Sequence, residues 1–598
     1  MSYRLLGKNF TPPDVYAKVT GQAKYAEDFR ADGMVFCRLL TSPMPHAKVK
    51  SIDVSQALRL PGVIGVLLPG EVTPVNEPDA PILSAEPQYV GDPILAIAAV
   101  DETTAQDALD KVRVDLEPLP FVIDPLESLH PDGPNARADG HNVGGRGVKP
   151  QSLKWSVADF EQAGAGKLPL GKAAVEWSYG DIGAGFAKSK VVYDDTFVTA
   201  SNSHHSMEPR TTFAYWQNGK CFVHGSSQSQ SFVVPGLARY IGIKPEELVY
   251  IAEFCGGGFG SKGSAYPSMA IPALLAKKLR RPVMMRISRA EEYYIGRARS
   301  GFQGRVKLGF AADGRLLAAD LYIVQDGGAY TGFTDYRNAG DLLSIVYTPE
   351  SMRWRGVPVY TNSPTRSAQR GPGENQISLI LEPLMDRAAR ELNIDRLEIR
   401  RLNAPQTGSA VSGERRPVTS AYLREALAIG AARFNWEERK ARSGRRRGPK
   451  VTGIGIGQGY HPAGSHGFDG LLRITPDGKL HIHTGVGNLG TFSHSATSRI
   501  AAEALKCDWN DCVIERGDTR KHLPWNNGQF GSNTSFTMAR TNYVAAMDAL
   551  TKMKEIAARD LGGRPGDYDI DGQKVFAAAR PARHLTYAAV AQRAIELG

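Results

Sequence analysis

Three successive glycines, an aromatic residue and a lysine give the stretch Cys255-Gly256-Gly257-Gly258-Phe259-Gly260-Ser261-Lys262 the clearest chemical potential in this 598-residue sequence. Glycines allow positive φ and let backbone N–H groups close on an anionic ligand. An apolar run at 248–254 precedes the loop and reads as a strand, and 266–279 has helical character. A helix start behind such a loop favours phosphate. The spacing is neither GxxxxGK[ST] nor GxGxxG with a later acid, so known nucleotide loops do not account for it. A tight turn around a buried Phe259 is the plain alternative. Three further loops share this texture: Arg366-Ser367-Ala368-Gln369-Arg370-Gly371-Pro372-Gly373-Glu374-Asn375-Gln376, Gly485-Val486-Gly487-Asn488-Leu489-Gly490-Thr491, and Gly528-Gln529-Phe530-Gly531-Ser532-Asn533-Thr534-Ser535. Several loops of this kind suit one large ligand with phosphate and heteroaromatic parts.

Positioning these loops requires several domains, and the length allows about four of ordinary size. Strands are expected at 39–40, 49–52, 63–67 and 93–100, with a helix at 103–112 capped by Asp101 and a returning strand at 112–116. Residues 128–171 are rich in Pro, Gly, Asn and Asp without periodicity and read as a long exposed connection. A second α/β region has strands at 187–197, 211–216, 220–225, 283–288, 304–310 and 316–325. Helices are expected there at 231–241 and at 376–392, the latter broken by Pro383. A third region opens at 451–459, with a strand at 480–484, a helix at 497–505, a strand at 511–516 and a final helix near 588–597.

Composition excludes several classes. The hydrophobic fraction is 42% and the charged fraction 22%, close to globular averages. No run approaches a membrane span, and the first residues lack an apolar export signal, so a cytoplasmic protein is expected. The net charge is +10, but 439–450 (RKARSGRRRGPK) carries seven cations, and removing it leaves +3. That stretch reads as a solvated linker rather than a patch for an acidic partner, and no nucleic-acid signature accompanies it. Cys37, Cys221, Cys255, Cys507 and Cys512 form no CxxC pair, so any iron–sulfur centre lies on another chain.

Taken in order, the motifs resemble a known family, the large molybdopterin-binding subunits of the xanthine oxidase family of molybdenum hydroxylases. The resemblance rests on Gly21-Gln22-Ala23-Lys24-Tyr25-Ala26-Glu27-Asp28, Ser42-Pro43-Met44-Pro45-His46-Ala47-Lys48-Val49, Val90-Gly91-Asp92-Pro93, His205-Ser206-Met207-Glu208-Pro209, the GGGFGSK loop and the RSAQRGPGENQ loop. It implies an α/β (α+β) chain. An α/β-hammerhead domain at 14–126 and a linker at 127–173 come first. A first molybdopterin-binding domain at 174–437, a basic linker at 438–450 and a second, incomplete molybdopterin-binding domain at 451–598 follow.

The resemblance also implies a molybdenum centre held by the pterin dithiolene, in the cytosine dinucleotide form, with no protein side chain on the metal. By position, Gln228 corresponds to the residue that hydrogen-bonds a molybdenum oxygen. Gly258 and Phe259 correspond to the residues under the metal, Gly257 and Gly260 to cofactor-binding neighbours in the same loop, and Arg370 and Gly371 to the loop at its molybdenum end. Gly490 and Thr491 correspond to the family's GQG, and Gly531, Ser532, Asn533, Thr534 and Ser535 to a pterin- and phosphate-binding run. Ordinary buried hydrogen bonds are the alternative for Gln228 and Arg370.

Departures bear on substrate and base. Gln369 and Pro372 stand where purine hydroxylases carry aromatic residues, Gly263 where they carry a carboxylate, and Thr491 where Gln is usual. A Gly-rich loop with a catalytic glutamate, expected further on, has no counterpart here. A separate small chain is expected to supply it, with the gene next to this one encoding a GxxE-type loop; truncation or a different activity are the alternatives. Glu208, His204 and His205 read as structural rather than as substitutes. The expected role is an oxidoreductase subunit that hydroxylates an aromatic heterocycle, aldehyde or similar carbon. Electrons would pass to a [2Fe–2S] subunit and an FAD subunit. A reductive or non-redox variant, such as an aromatic acyl-CoA dehydroxylase, and a non-catalytic scaffold are the competing readings.

Overall fold

The computed structural model describes residues 3–75, 80–464 and 467–598; Met1 and Ser2, at the start expected to lack an export signal, lie outside the described residues. Two seven-stranded sheets organise the first two thirds of the chain. One has the order Leu248–Ile251, Lys220–His224, Thr212–Gln217, Val283–Met285, Val35–Thr41, Pro93–Ala99, Val63–Leu67. Its seam is the parallel pairing of Val35–Thr41 with Val283–Met285, Cys37 opposite Met285. The N-terminal segment and the second α/β region therefore share one continuous sheet. The cause is visible in the pattern: Pro93–Ala99 is buried at every position, as expected for a strand covered on both faces.

The second sheet runs Val148–Gln151, Val143–Gly145, Ser351–Tyr360, Leu316–Gly328, Phe302–Phe310, Val191–Thr199, with Val175–Tyr179 also paired to Ser351–Tyr360. Here the exposed connection expected at 128–171 is corrected. The segment contributes two strands to the sheet, and Leu129, Val143, Leu153, Trp155 and Leu168 pack against Tyr322 and Val357 in a buried cluster. Its sparse apolar residues lack periodicity because they meet the sheet from loops. The basic stretch 439–450, by contrast, is exposed apart from half-buried Lys440 and Ser443, and its first residues belong to the helix Trp436–Arg442.

Local capping follows the sequence closely. Asp101 accepts from the Thr104 amide at 2.7 Å at the start of Glu102–Leu109. Ser229 caps Gln230–Ile241, which ends at Gly242 with φ 77°. Two expectations fail. The strand expected at 283–288 stops at Met285, and Ser288 caps a helix, Arg289–Ile295. The helix Glu374–Glu391 passes through Pro383 unbroken. A mid-helix proline costs ~3 kcal/mol, but burial of Ile377, Leu381, Leu384 and Met385 outweighs it at about 1.5–3 kcal/mol per large side chain.

The third region pairs a sheet of Leu471–Ile474, Leu480–His483 and Cys512–Glu515 with the helices Ser493–Ala504 and Ala539–Leu561. A three-stranded sheet, Tyr568–Asp571, Lys574–Ala577 and Arg580–Thr586, and the helix Tyr587–Leu597 complete it. The start of the chain ties down this region: Arg499 donates to the carbonyls of Leu5 and Lys8. Buried Asp14 meets Lys18 at 2.8 Å and Arg516 at 3.5 Å, and accepts from Asn488 Nδ2 at 2.8 Å. Among the described residues no helix is long and apolar enough to cross a membrane.

Candidate active site

The glycine loops meet at Gln228. Its side chain is 2% exposed; Oε1 accepts from the amides of Gly260 (2.9 Å) and Lys262 (3.2 Å), and Nε2 donates to the Gln529 carbonyl (2.9 Å). Its own carbonyl accepts from the amides of Gly487 (3.1 Å) and Gln529 (2.8 Å). One residue thus joins three of the four loops, the first of which stands more than two hundred positions before the other two. The fourth is joined through Phe259, whose carbonyl accepts from the Arg370 amide at 2.8 Å. Close approach explains the glycines: a Cβ on Gly258 would meet the Gln228 amide, and one on Gly487 would overlap the Ser227 carbonyl.

Two helix starts lie side by side at the third-region end of this junction. Ser493–Ala504 begins just after Thr491, and a π-helical turn, Thr534–Met538, leads into Ala539–Leu561 and packs on it. The hydroxyls of Ser495, Thr534 and Thr537 are buried there without a hydrogen-bond partner. Buried hydroxyls left unpaired are costly, so a set of them at two helix N-termini defines a place for an anionic ligand. Gln529 donates through Nε2 to Thr491 (2.6 Å) and to Ser493. It thereby brings to this point the amide that Thr491 lacks.

On the other side of the junction, Phe259 is 39% exposed with φ 55° and opens onto a cavity of about 710 Å3. Val198, Leu379 and Ile380 form its apolar wall, and Asn202, Gln369 and Arg370 its polar one. The Arg370 guanidinium lies 5.3 Å from the centre of the Phe259 ring. Buried Arg299 clamps the loop from beneath, donating to Gln369 Oε1 (2.6 Å), the carbonyls of Arg370 (2.7 Å) and Gly371 (2.9 Å), and Gln376 Oε1 (2.7 Å). Gln369 Nε2 donates to the Ser203 carbonyl at 2.9 Å, so both ends of that amide are fixed.

Asp and Glu are missing from the cavity lining among the described residues. Glu208 faces the interior instead, accepting from the Gly256 amide (2.7 Å) and pairing with fully buried Lys262 (3.3 Å). His204 donates from Nε2 to the Ala368 carbonyl at 2.9 Å, and burial pushes its imidazole down to about 4. It is neutral at physiological pH, with its Nε2 proton committed. His205 lines the cavity with φ 53°, packed edge-on against Tyr293.

Behind the Arg299 clamp, burial pushes the Asp335 carboxyl up to about 7 despite a bond from Gln376 Nε2 (3.2 Å). A carboxyl raised in the folded state from 3.8 contributes stability below its unfolded pKa, and that contribution is lost as pH rises towards 7. Asp335→Asn, which mimics the neutral acid, is therefore expected to gain stability over the parent between about pH 4 and 7, by up to about 1.4 kcal/mol per pH unit. Urea denaturation of both proteins across that range checks it, and parallel pH profiles would refute it.

Gln228, the Gly257–Gly260 positions, Arg370, Gln369, Thr491 and Thr534 therefore fall around one junction. Pro372 does not line the cavity: it is buried, and its carbonyl accepts from Asn338 Nδ2 at 2.9 Å. The Gly371 carbonyl accepts from Arg299 Nη1 at 2.9 Å. Gly490, Ser532 and Ser535 are exposed, and Asn533 is buried with Nδ2 on the Phe530 carbonyl (3.3 Å). Not evident in the sequence were Arg299, Ser495 and Thr537, and the roles of Lys262 and Gln529. Only the position of Ser495, two residues beyond Ser493 at a helix start, carried a local signal.

Comparison with known proteins matches this architecture. Residues 20–120 match the aldehyde oxidase and xanthine dehydrogenase a/b hammerhead domain, and residues 167–404 and 430–597 match molybdopterin cofactor-binding domains. The chain is thus a molybdopterin-binding protein. It is 27% identical over 571 residues to the xanthine dehydrogenase molybdenum-binding subunit of Escherichia coli O157:H7, covering 91% of this chain and 71% of that one. It is 30% identical over 551 residues to the aldehyde oxidoreductase of Megalodesulfovibrio gigas, covering 85% of this chain and 56% of that one. The crystal structure of quinoline 2-oxidoreductase from Pseudomonas putida 86 superposes with a TM-score of 0.77 at 24% identity, covering 100% of this chain and 77% of that one. The chain belongs to the xanthine oxidase family of molybdenum oxidoreductases, as a molybdopterin-binding large subunit. Its residues fit the cofactor: the orphaned hydroxyls face an anion site, and the glycines leave room where side chains would collide.

Proposed function

We propose that this chain carries the substrate-oxidising site of a multi-subunit, cytoplasmic molybdenum hydroxylase or dehydrogenase acting on an aromatic heterocycle, an aldehyde or a similar carbon centre. The observation that carries the reading is the convergence of distant loops on Gln228 beside the Phe259 cavity. Kinship with proteins named xanthine dehydrogenase and aldehyde oxidoreductase supports the substrate class. When bound, the molybdenum cofactor supplies two-electron redox chemistry with oxygen derived from water. Ser495, Thr534 and Thr537 would hold its phosphates at the paired helix starts, in the cytosine dinucleotide form, and Gln228 would orient its metal end. Arg370 and the fixed Gln369 amide would orient the substrate against the apolar wall of Val198, Leu379 and Ile380. Among the described residues no carboxylate lines the cavity, so the proton acceptor would come from a partner, a glutamate on a small additional chain. Iron–sulfur and flavin subunits take the electrons.

Purification with co-expressed partners, followed by metal analysis and acid release of the nucleotide, tests the reading. The expected result is one molybdenum and one CMP per chain, with Gln228→Ala lowering molybdenum content about tenfold or more, as loss of an outer-shell contact to a metal centre does. Parent protein purified with its partners but devoid of molybdenum and pterin would overturn it in favour of a scaffold.

A further inference from the structure

The Phe259 cavity holds a guanidinium that meets no acceptor among the described residues. Other arginines around the loops are committed. Arg299 donates to the Gln369 side chain and to two loop carbonyls. Arg210 is paired with Glu292, Arg366 with Asp326, and Arg289 donates to the Ser206 carbonyl at 2.6 Å. Arg370 differs. Its backbone is pinned on both sides, the amide on the Phe259 carbonyl at 2.8 Å and the carbonyl on Arg299 Nη2 at 2.7 Å. Its guanidinium makes no hydrogen bond or ion pair among the described residues, and lies over the Phe259 ring, 5.3 Å from its centre. A cation over a ring face keeps its in-plane N–H groups for an acceptor.

The rest of the lining says what that acceptor belongs to. Among the described residues no carboxylate faces the cavity, so its fixed charge is positive. Val198 and Leu379 stand 71% and 65% exposed there, an apolar wall that a flat ring covers better than water does. Gln369, with Oε1 on Arg299 and Nε2 on the Ser203 carbonyl, supplies no charge. We propose that the substrate of this site is a planar aromatic or heteroaromatic acid, its ring-borne carboxylate held by the Arg370 guanidinium and its ring laid against Val198 and Leu379. One guanidinium matches one carboxylate in charge and in fork geometry, whereas a phosphate ester, with nearly two charges, calls for a second cation. A neutral purine or aldehyde leaves the Arg370 fork without an acceptor. Nor is Arg370 reserved for the partner's glutamate: a carboxylate locked to a guanidinium is held below its ordinary range and makes a poor base. The inference rests on the reading of this cavity as the substrate site.

Calorimetric titration of the complex purified with its co-expressed partners tests it. The probes are benzoate and the neutral, near-isosteric benzamide, and molybdenum is measured on each preparation. The molybdenum-loaded parent is expected to bind benzoate about tenfold or more tighter than benzamide, and Arg370→Gln to bind the two within about twofold of each other. A benzoate affinity no higher than that for benzamide in the loaded parent, or a benzoate preference undiminished in Arg370→Gln, overturns the inference and leaves the cofactor reading standing. Parent devoid of molybdenum overturns that reading, and the inference with it. Should Arg370→Gln fail to accumulate or to load, crystals of the parent soaked in 4-bromobenzoate decide. A carboxylate within hydrogen-bond distance of the Arg370 guanidinium supports the inference; one bound elsewhere, or none, overturns it.

Discussion

Gly260→Ala is expected to separate the two loops that frame the Phe259 cavity while leaving both sheets intact. Gly260 has φ 116°, where an L-residue is strained, and its Cβ would overlap the carbonyl oxygen of Ala368. That oxygen cannot retreat cheaply, because it also accepts from His204 Nε2. Strain at such a φ costs of order 1–3 kcal/mol, and overpacking adds about 1–3 kcal/mol, so the loops move apart instead. The Gly260 amide then leaves Gln228 Oε1, and the Arg370 amide leaves the Phe259 carbonyl. The variant should keep parental far-UV circular dichroism, expose the 366–376 loop to limited proteolysis, and purify with at most about a tenth of parental molybdenum. Parental protease resistance together with parental metal content would show that the loop contact does not build the site.

Lys262→Met is expected to be the most destabilising single change near the site, by about 3–5 kcal/mol. Lys262 is fully buried, its Nζ 2.8 Å from the Glu208 carbonyl and 3.3 Å from Glu208 Oε2. Removing the cation leaves a buried carboxylate whose remaining donors are the amides of Gly256 and, at 3.4 Å, Ala26. Because those amides belong to the glycine loop and to the hammerhead segment, the loss reaches across the shared sheet. The double variant Lys262→Met with Glu208→Leu removes both charges and should recover much of the deficit, as apolar replacements of buried pairs do. Chemical denaturation of the parent, each single variant and the double variant measures the coupling. Additive losses would show that the two side chains do not act as a pair.

Much of the site was legible because its physics is local. Glycines at 256–258, 260, 485, 487 and 528 mark close backbone approach, and Asp101 caps its helix within three residues of itself, whereas the equally local cap at Ser288 was masked by the apolar run before it, which read as a strand. The order of these motifs was enough to place the chain among molybdopterin-binding proteins. Residues 539–561 carried no such mark: the helix there buries Asn542, Ala546, Met553, Ala557 and Ala558, too small and polar a face to stand out as an apolar stripe. Trp155 and its neighbours likewise read as loop, since each reaches the core from an irregular backbone.

By itself, then, the amino-acid order determined which segments turn, which run as strands, and which family of ligand the turns could cradle. Tertiary structure decided that Gln228 joins three loops, that Arg299 holds the fourth, that Gln529 supplies an amide beside Thr491, and that Pro372 turns away from the cavity. The reason is range. Dihedral preference and capping act over a few residues, whereas these contacts are fixed by sheet register and burial between segments as much as 300 positions apart, which no local spacing encodes.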